Sequence, residues 1–202
     1  MDDEKRIVDT YEVKHAIHVG DKEILFGVDE KKFDCPYIVC NCTWDNPLGI
    51  DHYFNAVESA DYLEMMAEFT SRIMSQLDAV KAERNKITVP LKPFTAEQYI
   101  QNDNNQNLEN KVAIIRPECL RPEYRTADKQ LVLVTGGFGA YANSRGRAVY
   151  TTNLYSGKES RWNREDILGI VKPEYMPDWA KERLKQIQTQ RQIKQKNQEI
   201  ER

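Results

Sequence analysis

Three short apolar runs, Val112–Ile115, residues 131–134 and residues 147–154, sit close together, and the last two are separated by the glycine loop GGFGAYANSRG at 136–146. The runs are rich in β-branched residues, too short for helices and bounded by Pro or Gly, which is how strands of a small sheet read. A loop of this composition between two such runs joins antiparallel neighbours, with glycine supplying the positive φ values of a tight reversal. Residues 111–166 therefore predict a small twisted β-rich domain, possible as a barrel, whose loop presents Phe138, Tyr141, Arg145 and Arg147 near its surface.

The chain on either side is read against this stretch. Residues 11–19 alternate imperfectly, Gly20-Asp21 marks a turn, and residues 23–28 return, which is a hairpin. A further strand over 37–44 makes a three-stranded meander, followed by a turn over 45–49. Asp61 and Glu64 have the spacing of a capping box, and Leu63, Met66, Thr70, Ile73, Leu77 and Val80 recur at steps of three and four. That spacing predicts a long helix with this stripe against the meander. Thr95 to Ile100 suits one capped helical turn. Residues 101–110, dominated by Asn and Gln, are too polar to pack and read as a linker.

Three Pro tripeptides, at 116–118, 121–123 and 172–174, mark strand exits or first turns of short helices, because Pro removes an amide donor and extends its predecessor. Pro177-Asp178-Trp179 opens a helix with Ala180, Leu184 and Ile187 as a narrow apolar stripe. The predicted organisation is α+β: residues 1–87 as an N-terminal meander plus helix, 88–110 as a linker, 111–188 as a β-rich domain with a C-terminal helix, and 189–202 as a polar tail, either a fraying helix or disordered.

Charge divides along the same lines. Residues 1–110 carry 11 Lys+Arg against 21 Asp+Glu, and residues 111–202 carry 18 against 11, so a net charge of -3 conceals an acidic half and a basic half. Such a split suits two surfaces with different partners, halves that attract each other, or simply solvated faces. No apolar run approaches the roughly 20 residues of a membrane span, and residues 1–10 are acidic, unlike a signal or transit peptide. The expected address is the cytoplasm, where Cys35, Cys40, Cys42 and Cys119 remain thiols. Their spacing lacks the CxxC pairs of structural zinc sites. His15 and His18, three apart on a strand, face opposite sides and do not share a metal. No metal or cofactor is expected.

The string Gly137-Phe-Gly-Ala-Tyr-Ala fits a dinucleotide fingerprint by letter, but that site needs a helix to follow the loop, and here another strand follows. No P-loop, G-x-S-x-G or H-E-x-x-H is present. No carboxylate pair is singled out as a base, so no catalytic residue is named. What stands out is a set of arginines interleaved with aromatics: Arg116, Arg121, Arg125, Arg145, Arg147, Arg161 and Arg164 with Phe138, Tyr141 and Trp162. Arginine forks bind phosphate or carboxylate, and aromatic faces stack on bases or fill protein pockets. Pairing of several of these arginines with Glu118, Glu123, Asp128 and Glu165 is the competing structural explanation.

Residues 11–28 (YEVKHAIHVGDKEILFGV), residues 120–139 (LRPEYRTADKQLVLVTGGFG) and residues 146–181, which from Thr151 onward read TTNLYSGKESRWNREDILGIVKPEYMPDWAK, together resemble a family of small accessory proteins carried by conjugative and integrative elements of gut bacteria. That resemblance implies a counter-defence role, similar to anti-CRISPR inhibitors. The partner it implies is a bacterial RNA-guided nuclease or its guide RNA complex. A DNA-binding accessory factor for conjugative transfer, touching DNA or RNA directly, and a nucleic-acid-modifying enzyme are the alternatives.

Overall fold

Hydrophobic alternation in the first half builds one antiparallel sheet in sequence order: β1 (Ile7–Val8), β2 (Tyr11–Val19), β3 (Lys22–Val28), β4 (Tyr37–Thr43) and β5 (His52–Ser59). The computed structural model describes residues 5–43 and 50–200, less the side chains of 192 and 194–200. The turn expected over 45–49 lies outside the described residues. The chain is α+β and divides into two units, Met1–Thr88 and Val89–Arg202. The meander of the first unit thus has two more strands than its three clearest apolar runs indicate. β1 has only two residues, and β5 carries a bulge and few buried side chains, so neither leaves a strong pattern.

Across one face of this sheet lies α1 (Tyr62–Asn85), started by Asp61, whose carboxylate accepts from the amides of Leu63 and Glu64 at 2.8 and 3.1 Å. Ile24, Phe26 and Val39 pack against Met65 and Phe69. Complete burial of such side chains contributes roughly 1.5–3 kcal/mol each. The helix is rotated from the predicted stripe: Met65, Phe69, Gln76 and Val80 are buried, whereas Leu63 is 76% exposed. Apolar residues cover a wide arc of this helix, so spacing alone does not fix the centre of its inner face. On the other face of the sheet, Leu25, Cys40 and Cys42 are buried with Val8. Arg6 anchors that side by donating to Glu23 at 2.6 Å, Asp51 at 3.0 Å and the Tyr53 hydroxyl at 3.3 Å. Burial opposes the charge of Arg6, but the hydrogen bonds to Tyr53 and Glu23 outweigh it and raise its pKa.

The second unit is a six-stranded antiparallel sheet formed by β6 (Tyr99–Gln101), β7 (Val112–Ile115), β8 (Leu131–Gly136), β9 (Ala148–Asn153), β10 (Glu159–Asn163) and β11 (Ile167–Val171). Their order is β10-β9-β8-β7-β11-β6. Short α2 (Ala127–Gln130) precedes β8, and α3 (Asp178–Ile200) closes the unit. β7 and β8 are apolar throughout because both faces of the sheet are covered. Ala113, Ile115, Val132, Val134 and Val149 face one side with Leu108 and Ala140. Val112, Ile114, Leu131, Leu133 and Leu154 face the other, beneath Ala180, Leu184 and Ile187 of α3. The three Pro tripeptides each open a 3-10 turn, at Pro117–Cys119, Pro122–Tyr124 and Pro173–Tyr175.

One expectation is corrected here. The polar stretch at 88–110 is no linker: it contains a capped turn at Ala96–Gln98, adds the edge strand β6 to β11, and buries Leu108 completely. The Asn102 side chain and the main-chain amides of Asn102, Leu108 and Asn110 bond carbonyls of the fold, so polarity here includes loop capping and does not mark a flexible joint. Residues 189–200, expected as a fraying helix or as disordered, continue α3 as helix, with Arg191 donating to the Thr135 carbonyl at 3.3 Å. No helix among the described residues is long and apolar enough to cross a membrane.

Candidate functional site

The loop between β8 and β9 lies flat on the strand that follows it, and glycine is what lets it do so. A Cβ at Gly137, where φ is +101°, would stand 2.4 Å from the Ala148 carbonyl oxygen, and one at Gly139 would stand 2.4 Å from that of Arg147. No side chain fits either gap. Phe138–Ala140 form a 3-10 turn, Ala140 is buried, and its carbonyl accepts from the Leu108 amide at 2.8 Å. The Asn143 amide donates to the Asn104 carbonyl at 2.7 Å, so the glycine loop and the segment before Leu108 are laced together.

Arg164, in the 3-10 turn after β10, is the clamp. It is only 8% exposed. Its Nη1 donates to the carbonyls of Gly139 at 2.6 Å and Tyr141 at 2.9 Å, and its Nη2 to those of Asp103 and Gln106, both at 2.6 Å. One guanidinium thus joins the two segments through main-chain carbonyls. Asn102 returns the bond, donating to the Arg164 carbonyl at 2.9 Å and that of Ile167 at 3.2 Å. Arg164 forms no ion pair among the described residues, and burial lowers its pKa, with Asp103 opposing.

Above this clamp lies a shallow depression of about 340 Å³, lined by Arg116, Arg145, Arg147, Glu165, Asn104 and Arg164 among others. Arg147 pairs with Glu165. Arg116 donates through Nε to the Glu165 carbonyl at 2.6 Å. Arg145 is exposed and makes no hydrogen bond or ion pair among the described residues. On the same loop Phe138 is 76% exposed and Tyr141 is 44% exposed, the latter reaching Glu109 at 3.4 Å.

The sequence-predicted set therefore divides. Arg116, Arg145 and Arg147 come together in the depression, with Phe138 and Tyr141 on its loop. Arg164 and Trp162 are corrections: neither is displayed for docking. Arg164 is consumed by the loop carbonyls. Trp162 is half-buried against the core around Val149 and donates to Ser160 Oγ at 3.1 Å. Strand alternation sends Arg161 to the opposite sheet face from Trp162, across from Tyr150. Arg125 donates to the Leu120 carbonyl at 3.2 Å, and Arg121 begins the Pro122–Tyr124 turn; neither lines the depression. Asn102, Asp103, Asn104 and Ser144 also line the site, although the sequence reading assigns them to a linker or leaves them aside. The signal that identifies the first three is the lone Leu108 ending an amide-rich run directly before a strand. No protein-family model, curated protein or solved structure matches this chain.

Proposed function

We propose that the protein is a non-enzymatic binding protein of the anti-CRISPR kind, which docks on a bacterial RNA-guided nuclease or its guide complex through the arginine depression of the second unit. The observation that carries this reading is the clamp: a loop bearing an unpartnered Arg145 and a solvent-facing Phe138 is held rigid by Arg164, so little ordering entropy is lost on binding. Charge supports it as well. Residues 1–88 carry 10 Lys+Arg against 18 Asp+Glu, which suits a basic nucleic-acid channel, while residues 89–202 carry 19 against 14. The resemblance to mobile-element accessory proteins supplies the partner class.

A salt titration tests it. The purified protein is titrated with an assembled nuclease–guide complex and, separately, with naked duplex DNA. Tight binding to the complex with feeble binding to DNA is the expected result. Strong, steeply salt-dependent binding to naked DNA overturns the reading in favour of a DNA-binding accessory factor for conjugation.

A further inference from the structure

The arginine depression has a chemical preference of its own. Beneath it, Arg164 Nε is a buried donor without a hydrogen-bond partner among the described residues; the unpaired Asn102 Oδ1 and Gln106 Oε1 are acceptors and do not speak for an anion. Buried N–H donors are nearly always satisfied, so an unpaired one at the base of an arginine-lined depression suits an acceptor oxygen. The guanidinium of Arg164 is moreover a buried cation whose hydrogen-bond partners are all carbonyl dipoles, with Asp103 acting on it only through its charge. Arg116, Arg145 and Arg147 add three more positive charges to the lining, against Asp103 and Glu165. The Asp103 carboxylate is turned to the Asn105 amide at 2.7 Å, and Glu165 and Arg147 offset each other as a pair, which leaves Arg116, Arg145 and Arg164 against Asp103. The lining is therefore net positive, which favours an anion there.

We infer that the depression binds one phosphate of a nucleic-acid backbone, with unpaired Arg145 as the first contacting fork, Arg147 exchanging Glu165 for the phosphate, Arg116 beside them, and buried Arg164 as the fixed positive floor. A phosphate fits better than a carboxylate because Arg116, Arg145 and Arg147, lining one depression, offer more donors than two carboxylate oxygens accept. Phe138 and Tyr141 on the adjoining loop then offer faces to the flanking bases. This rests on the docking reading but narrows its partner surface to nucleic acid instead of acidic protein.

The test follows the arginine Nε–H signals of the full chain by NMR during titration with inorganic phosphate, with a short single-stranded RNA and with poly-glutamate. Arg164 Nε–H, sealed from solvent, should exchange slowly and shift with phosphate and with RNA. RNA should bind more than tenfold tighter than phosphate if the source is a backbone, and Arg145→Ala/Arg147→Ala should weaken both by at least tenfold with the fold intact by circular dichroism. Equal response to poly-glutamate, or a response to phosphate and RNA untouched by the double substitution, overturns the inference. If neither phosphate nor RNA shifts any signal while wild type still captures the nuclease complex, the phosphate site is wrong and the docking reading stands; loss of capture as well removes both.

Discussion

Replacing Arg164 by methionine keeps most of the aliphatic stem and removes a guanidinium that serves four main-chain carbonyls. Each charge-assisted bond is worth about 1.5–3 kcal/mol in isolation. The four do not add, because the carbonyls of an opened loop recover water. The sensible comparison is the break-up of a buried hydrogen-bond network that leaves about two carbonyls unsatisfied, about 3–5 kcal/mol. The second unit spans Val89–Arg202, which is 114 residues. At about 2.1 cal/mol/K per residue its unfolding entropy is roughly 0.24 kcal/mol/K, so the melting temperature of that unit should fall by roughly 12–20 °C. Arg161→Met is the control: Arg161 is exposed on a strand close by in sequence, and its loss should cost within about 0.5 kcal/mol. Arg164→Lys should recover less than half of the deficit, because a point-like ammonium with three donors does not span four carbonyls. Calorimetry on the full-length variants reads all three. A change below about 1 kcal/mol for Arg164→Met, or equal damage from Arg161→Met, refutes the clamp.

Other outcomes follow from the same packing. Leu108→Ala should destabilise the second unit by about 2–5 kcal/mol, since Leu108 is fully buried, whereas a linker residue would leave the melting curve unchanged. Gly139→Ala should cost about 2 kcal/mol and disturb the loop, because the added methyl meets main chain at Arg147; an unaltered amide spectrum at 136–147 would contradict this. Burial, reinforced by the neighbouring Cys42, pushes the Cys40 thiol up to about 11. At pH 8 about one Cys40 in a thousand is then thiolate, so a thiol reagent should modify exposed Cys119 first and reach Cys40 and Cys42 only on unfolding. Rapid native labelling of Cys40 by peptide mapping would count against the buried placement.

The fold is legible in the sequence wherever hydrophobic pattern governs the outcome. The strands at Val112–Ile115 and Tyr11–Val19, the helix begun by Asp61 and the Pro-led turns are local decisions, set by β-branched runs, a capping carboxylate and a locked φ, and they are found where the pattern puts them. Features decided by tertiary geometry escape such a reading. The face α1 turns inward depends on where Phe26 and Val39 stand across from it, which no periodicity within the helix encodes. Residues 101–110 read as a linker because polarity alone does not say which carbonyls elsewhere lack donors; Asn102 and the buried Leu108 answer that only once Arg164 and Ala140 are in place. Arg164 escapes for the opposite reason. In sequence it is one of several arginines beside aromatics, and only the folded loop distinguishes a buried clamp from the exposed Arg145.

The central claim, that the clamped loop is the docking surface, is tested most directly by capture of an RNA-guided nuclease complex from defence-competent cells, using the wild type and the Arg145→Ala/Arg147→Ala variant side by side. Both side chains are exposed, so the variant should melt as the wild type does. The account predicts that the wild type recovers the complex and the variant recovers at least tenfold less. Equal recovery by the two, at matched stability, would contradict it.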